Sequence, residues 1–139
     1  MKPVATVAVS ALVGAATAIV AGVLGVDRIG AGDANRMTHA TIFLDQVSGS
    51  CRIHTAPQTL PGNRRGRVQW TIIDRCGVTN DNDVEISFAE QSPLEASCVP
   101  RGRRNITCVV RGDAAYRSYK YNVDARGAVR EDPELEIVQ

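Results

Sequence analysis

From Val4 to Val26 the chain carries no charged residue, and Asp27 and Arg28 follow at once. A helix needs about twenty apolar residues at ~1.5 Å each to cross a hydrocarbon core ~30 Å thick. The run is therefore long enough to span a bilayer with some tilt. Lys2 and the terminal amine precede it. Positive charge stays on the cytoplasmic side, which predicts a single pass through the inner membrane, N-terminus cytoplasmic, with the rest periplasmic or extracellular. Gly14, Ala18 and Gly22 recur at every fourth position, a stripe that would let a second helix approach closely. The expected division is a transmembrane signal anchor over 1–26, a tether over 27–36 and an extracytoplasmic domain over 37–139. The competing reading is a cleaved signal, cut at a small-residue site such as Gly32-Asp33-Ala34 or Val13-Gly14-Ala15. Its apolar core would be ~7–15 residues, shorter than the run here.

Beyond residue 35 about a hundred residues remain, enough for one domain with a modest core. The net charge of +1 gives no general pull toward nucleic acid, and the few aromatic residues argue against a sugar- or base-stacking platform. Four cysteines, Cys51, Cys76, Cys98 and Cys108, suit two disulfides in a short exported domain. Three pairings are possible. A hairpin turning near Arg103 would set Cys98 opposite Cys108, which leaves Cys51 for Cys76. A zinc site would call for close cysteine pairs, and the spacing offers none.

The exported part reads as strands. Ala40–Leu44 and Cys51–His54 flank a turn at Gln46–Ser50, and residues 55–66 read as a loop because Pro57, Pro61, Gly62 and Asn63 interrupt it. Arg67–Asp74 alternates strictly, with Val68, Trp70 and Ile72 on one face. The same period recurs over Asp83–Ala89, Asn105–Arg111, Arg117–Asp124 and Glu134–Val138. Short strands punctuated by turns, with no helical period, predict an antiparallel sandwich of about seven strands.

Val68-Gln-Trp70-Thr-Ile72, Tyr119-Lys-Tyr121-Asn-Val123 and Asp132-Pro133-Glu-Leu-Glu-Ile137 resemble core and C-terminal strands of small exported bacterial domains with a cupredoxin-like or immunoglobulin-like sandwich. The resemblance implies a fold and no activity. The expected class is thus mainly β: an N-terminal transmembrane helix followed by an immunoglobulin-like or cupredoxin-like antiparallel sandwich. Blue-copper domains add a late Cys, His and Met. Here His39 and His54 are both early, and neither His nor Met follows Cys108. No cofactor is expected, and a weak metal site would need His39 and His54 to meet across paired strands.

Two arginine-rich turns stand out, Arg64, Arg65 and Arg67, and Arg101, Arg103 and Arg104. At one end of a sandwich they would form a basic patch; apart, they are solvated turns. Asn80–Asp83 is an acidic turn, and Arg111-Gly-Asp113 spells a cell-adhesion tripeptide. No catalytic motif is present, so a non-enzyme is expected. The leading expectation is a membrane-anchored accessory subunit of a larger respiratory or photosynthetic complex, with membrane-protein subunits and the bilayer as partners. The alternatives are a cleaved, secreted or periplasmic ligand-binding module and a metal-handling protein.

Overall fold

The computed structural model of the protein describes residues 36–126, 128 and 132–139. Nine strands follow one another: β1 Met37–Val47, β2 Ser50–Ala56, β3 Thr59–Asn63, β4 Arg67–Asp74, β5 Val84–Phe88, β6 Arg101–Gly102, β7 Asn105–Val109, β8 Ser118–Asp124 and β9 Glu134–Val138. One 3-10 turn, Val78–Asn80, lies between β4 and β5. The strands form two sheets in the orders β2-β1-β4-β7 and β3-β9-β8-β5-β6.

Alternation builds the core. Ala40, Ile42 and Leu44 of β1, Val68, Trp70 and Ile72 of β4, and Ile106 and Cys108 of β7 are buried from one sheet. Val84 and Ile86, Tyr119, Tyr121 and Val123, and Leu135 and Ile137 are buried from the other. Period-two burial of one face per sheet is the requirement of a two-layer sandwich. Between β1 and β2, Ser48 (φ 53°) and Gly49 (φ 81°) both take the left-handed conformation. Two such residues make a hairpin turn that matches the strand twist.

Three expectations are corrected. First, the sheets are mixed. β1 pairs with β4 in parallel, Met37 opposite Arg67 and Leu44 opposite Asp74, and β3 pairs with β9 in parallel. Alternation is the same for either direction, so the sequence carries no sign of it. Second, the interval assigned to a loop contains β3. Pro61 can serve on an edge strand, where its missing N–H need cost no ladder bond. Gly62 lies where a Cβ would come within 3.0 Å of the Leu135 side chain and 3.2 Å of Ile137. Its bareness is a packing requirement, not a loop signal.

Third, the anchored architecture is not carried forward. No helix among the described residues is long and apolar enough to cross a membrane. The expected span Val4–Val26, with Gly14, Ala18 and Gly22, lies outside the described residues. The single-pass topology, and the bilayer and membrane subunits as partners, give way to a β domain whose role has to be read from its own surface.

Candidate functional site

Every cysteine is paired: Cys51 with Cys76, Cα atoms 5.9 Å apart, and Cys98 with Cys108, 5.4 Å apart. The first bond ties β2 to the segment leaving β4. Asp74 shapes that segment. Its Oδ1 accepts from the amides of Cys76 and Gly77 at 2.9 Å each, and its Oδ2 from the amide and hydroxyl of Thr79 at 2.7 and 2.8 Å. Partial burial works to raise the carboxyl pKa, but the Thr79 amide and hydroxyl with the Cys76 and Gly77 amides outweigh it and hold it below its ordinary value. A lowered carboxyl contributes stability above the unfolded value near ~3.9 and loses it as pH falls through the folded value. Asp74→Asn is expected to lower the melting temperature at pH 7 by a few degrees, roughly the effect of losing ~1 kcal/mol in a domain of this size. The gap should close below about pH 4, which melts at the two pH values would check.

Trp70 and Tyr121 join the sheets. The indole Nε1 donates to the Tyr121 hydroxyl at 3.2 Å, and the rings meet edge-on with centroids 5.8 Å apart. Burial pushes the Tyr121 phenol up to about 12, against a smaller downward pull from the indole donor. A raised phenol contributes stability below the unfolded value near ~10 and loses it as pH rises through the folded one. Unfolding free energy is therefore expected to fall by about 2 kcal/mol between pH 10 and 12 in denaturant titrations, and the Tyr121→Phe variant should lack this component.

The two arginine turns do not converge. Arg67 opens β4, whereas the Ile72 amide near the other end donates to the Arg104 carbonyl at 2.7 Å. Five strand residues of ~3.3 Å separate those levels. At the Arg104 end, Arg101 pairs with Glu85 at 2.8 Å, and Arg103 pairs with Asp83 at 2.9 Å while donating to the Asn80 carbonyl at 3.2 Å. Arg103 thereby occupies the acidic turn Asn80–Asp83. At the Arg67 end the neighbours are different arginines. The Arg67 amide donates to the Arg36 carbonyl and the Arg65 amide to the Val110 carbonyl. Arg64 Nε donates to the Ala114 carbonyl at 2.7 Å, and its guanidinium stacks 3.7 Å above the Tyr116 ring. Sequence reasoning missed Arg36 and Arg111 as members of this end. Parallel pairing of β1 with β4 is what brings Arg36 there.

His39 and His54 do not meet. His54 stands opposite Phe43, its ring stacked at 4.6 Å, and His39 stands opposite Gln69. Four β1 positions, about 13 Å, lie between the levels of the two histidines. No group of three or more His, Cys, Asp or Glu able to hold a metal occurs among the described residues. The adhesion-like tripeptide is folded on itself, Arg111 Nε lying 3.7 Å from the Asp113 carboxylate.

The best-formed cleft lies where strand pairing forks. The β5–β8 ladder ends at Phe88 opposite Tyr121, but β8 runs on to Ser118 paired with β9. The chain after β5 leaves for the other sheet, where Leu94 bridges to Val110. The gap left behind, about 250 Å³, is lined by Phe88, Glu90, Ser118, Tyr119, Lys120 and Glu134. Glu90 is engaged by Arg117 at 2.6 Å, and the Tyr119 hydroxyl is used on the Ala115 amide and carbonyl. Ligand pockets commonly run ~300–1,000 Å³, so this cleft suits a single side chain or a small polar group.

No protein-family model matches the chain, and no curated protein matches it. The fold stands as a mainly β domain of two packed sheets.

Proposed function

We propose that the protein is an exported, non-enzymatic binding module, held rigid by its two disulfides and acting through a macromolecular partner. The observation that carries this reading is the complete pairing of the four cysteines. Disulfides form and persist outside the reducing cytosol. The groups with shifted titration support a role without catalysis, because all three are engaged within the fold: Asp74 by the turn after β4, Tyr121 by Trp70, and Arg117 by Tyr119 and Glu90.

The finer kinship, with exported immunoglobulin-like or cupredoxin-like domains lacking a copper site, belongs to the same proposal. Trp70, buried between two sheets, supports it. The Cys51–Cys76 cystine departs from the immunoglobulin arrangement, in which a disulfide joins the sheets beside the tryptophan. Cys51–Cys76 starts and ends on the β2–β4 side.

A cleaved signal would leave a mature chain starting near Asn35, just ahead of β1. The test is an intact mass of native protein from the extracytoplasmic fraction, taken without reductant. The expected value is that of the chain from about Asn35, reduced by ~4 Da for two disulfides. Free thiols on rapid alkylation of cells would overturn the exported reading.

A further inference from the structure

We propose that the end of the sandwich formed by Arg36, Arg64, Arg65, Arg67 and Arg111 binds an acidic polysaccharide, a linear sugar polymer bearing sulfate or carboxylate groups. The proposal rests on the reading of the protein as an exported binding module.

The topology gathers these residues from four separate segments. Met37, Arg67 and Val109 stand level on the adjacent strands β1, β4 and β7. With strands ~4.8 Å apart, that row is about 10 Å wide. Arg36 and Arg111 extend it at either side, and Arg65 crosses over it, its side chain lying against Gly112. Arg64 is fixed by Ala114 and Tyr116.

Carboxylates neutralise more of the arginines at one end of the molecule than at the other. At the far end Arg75, Arg101 and Arg103 are each neutralised by a carboxylate, Asp45, Glu85 and Asp83 in turn, and Arg104 is outside the ion pairs of the described residues. At the near end Arg111 has Asp113, whereas Arg36, Arg64, Arg65 and Arg67 take part in none of the ion pairs among the described residues. Four guanidinium groups thus share one rim outside the ion pairs of the described residues, on a chain whose net charge is only +1. Guanidinium planes take up sulfate, phosphate and carboxylate in paired hydrogen bonds.

The surroundings favour a sugar polymer over other anions. Cores of protein–protein interfaces set their arginines among aromatic and apolar side chains; of these the rim offers Met37 and Tyr116. Single-stranded nucleic acid is held by stacking on aromatic faces. Here the exposed aromatic is Tyr116, and Arg64 already covers it. The scarcity of aromatic residues disfavours neutral sugars and leaves charge as the means of recognition.

The test measures binding of the cystine-intact protein to heparin, used as the probe polyanion, across a salt series. Arg36→Glu with Arg67→Glu removes two exposed positive charges from the rim. Arg52→Glu with Arg126→Glu makes the same charge change elsewhere, Arg52 being exposed on β2 opposite Asp45. The expected result is a loss of about tenfold or more for the rim pair, with the slope of log affinity on log salt falling by roughly 1.5 for two lost contacts. The distant pair should change affinity less than about twofold. Equal losses from both pairs, or an unretained parent protein, would overturn the proposal. So would equal binding to polyglutamate or to duplex DNA. Arg36→Gln with Arg67→Gln, checked by the fluorescence of buried Trp70, covers the case in which the Glu variants fail to fold. Because retention is read independently of mass and thiol content, a failed patch and a failed export reading give different records.

Discussion

Trp70→Ala is expected to destabilise the domain by about 3–5 kcal/mol, the usual cost of emptying a buried aromatic site. Trp70 is fully buried, and its ring fills the space between the two sheets. Neighbouring strands are pinned by their ladders, so the hole cannot close by a small shift. A domain with ordinary stability of 5–15 kcal/mol would lose a large part of it. Tyr121→Phe is the milder companion. It removes the acceptor at 3.2 Å and leaves the indole N–H buried without a partner, which costs about 1–3 kcal/mol. Urea unfolding of the three proteins would rank them parent, Tyr121→Phe, Trp70→Ala. An alanine variant within 1 kcal/mol of the parent would mean that Trp70 is not the centre of the core.

Removing the Cys51–Cys76 bond, as Cys51→Ala with Cys76→Ala, should cost roughly 3.5 kcal/mol, and removing Cys98–Cys108 about 2.7 kcal/mol. The order follows from loop closure: 25 residues separate the first pair and 10 the second. The longer loop loses more freedom when the unfolded chain is cross-linked. A second effect adds to the first. Cys76 donates its amide to Asp74, so freeing it also loosens the turn that Asp74 gathers. Thermal melts of both variants without reductant would check the order. A larger loss from the shorter loop would point to packing in place of loop entropy as the source.

Strands were the most legible part of the chain, because half-buried strands write their burial at period two. Val68, Trp70 and Ile72 carry that signal plainly, as do Tyr119, Tyr121 and Val123. Strand direction left no mark. The parallel pairings of β1 with β4 and of β3 with β9 depend on how the chain crosses between layers, and residues 55–66 gave no hint of a strand because Pro61 and Gly62 serve an edge and a tight contact. The candidate surfaces were legible only as residue types. Arginines could be counted, but their partners sit in distant segments: Asp83 and Glu85 quench Arg103 and Arg101, while Arg36 arrives beside Arg67 through a pairing the alternation cannot reveal. His39 and His54 show the same limit. Register, which places Phe43 and Gln69 opposite them, decides whether two side chains meet.

The position of β9 has a consequence for how the molecule is made. It is the last of the nine strands, yet it lies inside its sheet, between β3 and β8. Until residues 134–138 emerge from the ribosome, β3 has no neighbour in its sheet and the second layer stays open. The earlier strands therefore have no finished second sheet to join until β9 arrives, and closure of the sandwich waits for it.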